Sequence, residues 1–278
     1  MNPELRAALE EKWGLNEPEY QQFFSYLGNA LHGDLGTSIT FNRPVGEMIK
    51  EKVGPTLLLG ITAAIIALLL GTALGIYGAR HEGSILDTVI STISYGLDAM
   101  PSFWLGLMLI IVFANNLGLL PTSGMTDQRM DYTGFAHYLD VIKHMVLPTV
   151  TLAAITMPGY FRIAKSSVLQ VCNEEFITTL RATGMSERKI FNKYVFRNAI
   201  LPTITVFGIT VAFLITGVTL IEIVFAWPGM GRLTMTAITQ RDYPTLLGIY
   251  LIIALSVSVV MILVDIVYAL FDPRIRYE

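Results

Sequence analysis

Long uncharged stretches alternate with short polar ones along this chain. The uncharged runs cover residues 56–79, 99–120, 145–161, 198–221 and 243–264. About 20 apolar residues cross a bilayer core as a helix, so four of the five runs suffice as they stand. The run 145–161 is shorter and holds Pro148 and Pro158. Membrane helices tolerate proline where neighbouring groups re-satisfy the backbone. A buried helix of a soluble protein accounts for any one run but not for five in one chain. The pattern predicts an all-α, polytopic membrane protein with five transmembrane helices.

Composition agrees with the pattern. Hydrophobic residues make up 53% of the chain and charged residues 15%, against about a quarter charged in a soluble domain. The one cysteine, Cys172, excludes an internal disulfide, and there is no CxxC or His/Cys metal spacing. No basic tract interleaved with aromatics points to nucleic acid. His32, His81, His137 and His144 fall in loops or at run ends. No repeat and no low-complexity linker divides the chain, so the reading is an N-terminal segment 1–55 followed by one permeation domain, 56–278.

Charge distribution sets the orientation. The polar loop 162–197 holds seven Lys/Arg against three acids, and basic loops are retained on the cytoplasmic side. Alternation then places 80–87, this loop and the tail 271–278 inside, with ten Lys/Arg. Outside fall 1–55, 121–144 and 222–242, about twice as long in total and holding nine. Within the basic loop the pattern predicts two short amphipathic helices meeting at Gly184, which permits backbone angles closed to other residues. Ser186 reads as the N-cap of the second helix, with Glu187 in its first turn. Ile190 and Tyr194, like Phe191 and Val195, recur at helical spacing as an apolar stripe.

On these residues the chain resembles a known family. The loop Thr178-Thr179-Leu180-Arg181-Ala182-Thr183-Gly184-Met185-Ser186-Glu187-Arg188, closing at Arg197-Asn198-Ala199-Ile200-Leu201-Pro202, is similar to the EAA loop of ABC-importer permeases of the dipeptide/oligopeptide branch. That branch typically reads T-A-R-A-K-G-[LM]-S-E-R, so Leu180 and Thr183 depart from the usual Ala and Lys. Gly33-Asp34-Leu35-Gly36-Thr37-Ser38, Pro101-Ser102-Phe103-Trp104-Leu105-Gly106 and Asp272-Pro273-Arg274 also match the branch. So does Glu222-Ile223-Val224-Phe225-Ala226-Trp227-Pro228-Gly229-Met230-Gly231-Arg232-Leu233.

The resemblance implies a type I importer fold and one half of a pore for di- or oligopeptides or a related solute such as nickel or glutathione. It implies a second homologous permease, two ABC ATPase subunits and an extracytoplasmic solute-binding protein as partners. The location implied is a prokaryotic cell (inner) membrane, with coupling loop and C-terminus cytoplasmic. ATP and Mg would sit on the partner subunits, since no G-x-x-x-x-G-K-[ST] occurs here; no cofactor or metal and no enzymatic activity are expected of this chain. Thr178, Thr179, Leu180, Arg181, Ala182, Gly184, Ser186 and Glu187 are the expected ATPase-coupling residues. Gly33, Asp34, Gly36, Trp227, Pro228 and Gly229 are expected to face the binding protein. Members of the branch usually carry a further N-terminal helix. Nothing before residue 55 reads as a signal peptide or a span, so that helix is expected to have been lost to a mis-assigned start.

An alternative function is a proton-coupled secondary carrier. Glu222 and Asp265 are the acids nearest membrane depth, and such carboxylates are suspects for proton relays. Structural anchoring is the competing role for both.

Overall fold

The computed structural model describes residues 17–271, leaving aside the side chains of 215–217, 265 and 267–271. Trp13, the motif 272–277 and the Asp265 carboxyl lie outside the described residues. The described residues are helical apart from turns and one isolated bridge, Thr37 to Pro44. An amphipathic helix α1, Glu19–Leu31, precedes α2, Val45–Arg80. The latter has 36 residues, or roughly 54 Å at 1.5 Å per residue. Next come α3, Ile85–Asp98, and α4, Ser102–Leu109, which continues as a π-helix over Ile110–Asn116. The long α5, Phe135–Cys172, contains both Pro148 and Pro158.

The basic loop contributes α6, Glu175–Ala182, and α7, Glu187–Ile190. The chain passes through a π-helical turn, Phe191–Val195, into α8, Phe196–Ala199, and α9, Leu201–Gly217. Two short helices, α10 (Thr219–Val224) and α11 (Met230–Gln240), precede α12, Tyr243–Phe271.

Four stretches are long and apolar enough to cross a membrane: Val45–Arg80, Phe135–Cys172, Glu187–Leu214 and Tyr243–Val264. The run 99–120, expected as one straight span, differs. Its helix starts only at Ser102 and is bent by 103° from α3, giving a fifth crossing only if α3 and α4 count as one broken span. Pro101 has no N–H to continue the α3 ladder. The basic loop also starts later than its charges suggest. Arg162 and Lys165 belong to α5, which runs on to Cys172.

The described chain forms two compact units. One joins residues up to Glu51 with Thr234–Ile252; the other joins Lys52–Leu233 with the chain from Ile253 on. In the second, glycines let α2 and α5 meet backbone to backbone. A Cβ on Gly71 would lie 2.6 Å from the Met157 carbonyl oxygen, and one on Gly75 2.6 Å from that of Phe161. Such small-residue contacts are how membrane helices gain van der Waals contact where no hydrophobic effect drives them together. Around this seam sit Leu59, Ala63, Ala67, Leu152, Tyr160 and Phe225. In the first unit, a Cβ on Gly248 would lie 2.6 Å from Val45, so α12 crosses α2 closely there.

Candidate functional site

The basic loop is built to show one face and hide the other. Helix α6 ends in a Schellman arrangement, in which Gly184 N–H donates to Arg181 O at 3.0 Å and Met185 N–H to Leu180 O at 3.3 Å. That turn needs a left-handed residue, and Gly184 supplies it at φ +78°. Ile177 is fully buried and packs with Ile190, Val195, Val168, Ala79 and Ala199. The Arg80 guanidinium lies 4.5 Å from the centre of the Phe191 ring, a cation–π contact joining the end of α2 to the turn after α7. Thr178, Thr179, Arg181, Ala182, Gly184, Ser186 and Glu187 are exposed, and Leu180 is half-buried.

Two details of the loop differ from the sequence reading. Ser186 occupies the N-cap position with its side chain unbonded to the helix, so its backbone carbonyl alone accepts from Lys189 and Ile190. Arg181 is engaged within the loop, where its Nε donates to Glu187 Oε1 at 2.8 Å. Exposed pairs of this kind contribute little stability, so both groups remain available for exchange onto another surface.

The Glu222 motif folds into a knot. Glu222 is fully buried. Its Oε1 accepts from the Thr56 hydroxyl at 2.6 Å and its Oε2 from Arg232 N–H at 3.0 Å. Gly231 N–H donates to the same carboxyl. Thr56 Oγ1 in turn accepts from Met230 N–H at 2.7 Å, and the Trp227 indole donates to Pro55 O at 2.9 Å. The carboxylate thus satisfies the opening N–H groups of α11 and complements its dipole. Burial pushes the Glu222 carboxyl up, and the hydrogen bonds from Thr56, Arg232 and Gly231 pull it back.

This geometry corrects the expected exposure of Trp227 and Gly229. Trp227 and Gly229 are buried, and Pro228 is half-buried. A Cβ on Gly229 would lie 2.1 Å from Glu222 Oε1, so no other residue fits above that carboxylate. The turn is a structural joint and not a partner-facing surface. It also supplies the physical reason why Glu222 acts as an anchor: every lone pair facing the protein has a fixed donor.

A second carboxylate anchors the other unit. Asp242 is fully buried. It accepts from the Ser38 hydroxyl, from Thr245 Oγ1 at 2.9 Å and from Ile39 N–H at 3.2 Å. Burial opposes its ionisation, yet these bonds outweigh burial and hold its pKa below the ordinary carboxylate range. Gly33 and Gly36 both take positive φ, and Asp34 closes the turn between them by accepting from Gly36 N–H at 2.9 Å. Gly33 and Asp34 are exposed, whereas Leu35 and Ser38 are buried. Thr56, Ser38 and Asp242 escaped the sequence reading, because single hydroxyls and one acid between apolar runs carry no periodic signal.

The comparisons with known proteins follow this geometry. Residues 71–277 match the family model of binding-protein-dependent transport system inner membrane components. The chain belongs to this family. Members elsewhere include an oligopeptide transport system permease of Bacillus subtilis (strain 168), 39% identical over all of this chain and 88% of its own length. A dipeptide transport system permease of Escherichia coli (strain K12) is 35% identical over 100% of this chain and 87% of its own. A glutathione transport system permease of Escherichia coli O6:H1 is 36% identical over 97% and 84%.

The fold is shared with the MetNI methionine ABC transporter in an inward-facing conformation, at TM-score 0.62 and 16% identity over 81% of this chain and 96% of that one. An amino acid ABC transporter matches at TM-score 0.58 and 16% identity over 82% and 94%. As a family member, this chain is a membrane-embedded permease subunit of an ABC importer.

Proposed function

We infer that this permease forms half of the translocation path for di- or oligopeptides, or a chemically related solute, and is driven through its basic loop by a separate ATPase. The observation that carries the reading is the build of that loop. A rigid apolar footing (Ile177, Ile190, Val195) holds an exposed face of Thr178, Thr179, Arg181, Ala182 and Gly184. A loop that only fixed topology would need charge but no such footing.

In this reading the loop and the C-terminus are cytoplasmic, and Gly33–Ser38 lies on the opposite side, toward a solute-binding protein. A second permease completes the pore, and two ATPase subunits bind ATP and Mg, because this chain has no phosphate-binding loop of its own. The relatives named for oligopeptides, dipeptides and glutathione support a small peptide-like solute.

The test is Gly184→Asp in the reconstituted transporter. The backbone at φ +78° strains a residue with a side chain, yet a Cβ there meets nothing within 4 Å. The variant should therefore insert and assemble as a permease pair while losing ATP-driven uptake. Uptake at the wild-type rate would refute the coupling role.

A further inference from the structure

The chain break between α3 and α4 carries a feature that coupling and anchoring leave unused. Asp98, Ala99, Met100 and Pro101 are all exposed, although they interrupt what is otherwise a broken membrane span. Non-helical backbone at membrane depth does not face lipid; it is tolerated where it lines a water-filled cavity or is covered by protein. At this break Arg162 of α5 forms an ion pair with Asp98, and the two side chains remain 46% and 40% exposed. Ionisable groups inside spans pair with one another and mark substrate pathways, and discontinuous helices form the binding sites of many transporters.

The face of α3 that turns toward α5 is polar throughout. Asp87, Ser91, Ser94 and Asp98 recur at helical spacing. Lys165 Nζ lies 2.5 Å from Asp87 Oδ1 and 3.4 Å from Ser91 Oγ. Ser94 is 1% exposed, and its hydroxyl has no hydrogen-bond partner among the described residues. The outward residues Ile85, Leu86, Val89 and Ile93 are apolar and exposed. The helix thus presents apolar groups outward and a polar track inward.

The two ion pairs differ in kind. Asp87 is buried and also accepts from Gly83 N–H at 3.2 Å, so it fixes the turn between α2 and α3. The Asp98–Arg162 pair is half-exposed and has no further side-chain partner among its recorded hydrogen bonds. Solvent reaches both charges, and each can leave the other without stranding a buried ion, which costs several kcal/mol when it happens. A pair of this kind suits a ligand with one negative and one positive end.

We propose that Asp98 and Arg162 form a subsite on the translocation path that recognises the charged termini of a zwitterionic peptide. Arg162 takes the terminal carboxylate in a two-pronged contact, which a guanidinium favours, and Asp98 takes the terminal ammonium. The subsite rests on the peptide-importer reading and deepens it, adding a discrimination step within this chain itself.

The test uses the assembled transporter with its binding protein in proteoliposomes. The substrates are a free dipeptide, its C-terminal amide and its N-acetyl derivative, each supplied at a concentration that saturates the binding protein. The wild type should favour the free dipeptide over both derivatives. Arg162→Gln should slow the free dipeptide by about tenfold, the scale of one charge-assisted hydrogen bond. It should leave the amide nearly unchanged, so that their ratio collapses. Asp98→Asn should do the same to the ratio of free to acetylated peptide. Arg162→Lys, which keeps the charge, should restore most of the discrimination.

Binding-protein-stimulated ATP hydrolysis reports that each variant is assembled. A variant that slows all three substrates equally, or leaves all three rates unchanged, overturns the subsite while leaving the importer reading intact. If the binding protein takes up no peptide and the wild type moves none, the peptide reading itself fails and the subsite falls with it.

Discussion

Thr56→Val removes two hydrogen bonds from the Glu222 knot without changing the shape of the side chain. Thr56 is fully buried, and its one hydroxyl donates to Glu222 Oε1 at 2.6 Å while accepting from Met230 N–H at 2.7 Å. Valine is close in volume to threonine, so no cavity term enters. Losing a bond to a charged group costs about 1.5–3 kcal/mol, and stranding a buried N–H about 1–3 kcal/mol. The sum, about 3–6 kcal/mol, is a large share of the roughly 5–15 kcal/mol by which folded proteins are stable. Losing the Thr56 bond also removes one of the interactions that pull the Glu222 carboxyl back against burial.

Thermal unfolding of the purified permease in detergent, followed by tryptophan fluorescence, measures the effect. Trp227 reports locally, because its indole donates to Pro55 in the same joint. Thr56→Val should lower the midpoint markedly, whereas Thr56→Ser, which keeps the hydroxyl, should stay close to wild type. A valine variant as stable as the wild type would show that the Glu222 carboxylate is not held by this hydroxyl, and the anchoring account would fall.

Other outcomes follow from the same geometry. Gly75→Val should block folding or insertion of the α2–α5 pair, since a Cβ there already meets the Phe161 carbonyl at 2.6 Å; normal expression and thermal stability of the variant would contradict the close seam. Asp242 has a depressed pKa, so its stabilisation is complete above the ordinary carboxylate range and is lost as pH falls through the lower native value. Unfolding midpoints measured from pH 7 downward should therefore drop less steeply in Asp242→Asn, which starts less stable, than in the wild type.

Part of this was legible in the sequence and part was not, for physical reasons. Membrane spans announce themselves by uncharged length, and Gly184 by its place between two polar segments with apolar stripes. The break at Pro101 was hidden because the run 99–120 is uniformly apolar, and composition does not register a bend. The extent of α5 was misjudged for a related reason. Arg162 and Lys165 look like loop charges, but within the helix they are matched by Asp98 and Asp87, which lie far away in sequence. Trp227-Pro228-Gly229 reads as an exposed turn because glycine and proline usually mark one. Its burial depends on Thr56 and Glu222, contacts across more than 160 positions that no local pattern encodes.

The central claim, that this permease is driven through its basic loop, is tested most directly by recovery of the tagged chain from its native membranes, wild type beside Gly184→Asp, with mass spectrometry of the associated proteins. The account predicts that the wild type brings with it a second permease and an ATPase bearing a phosphate-binding loop, and that Gly184→Asp retains the permease but loses the ATPase. Recovery of the wild-type chain alone, or an ATPase held equally well by the variant, would contradict it.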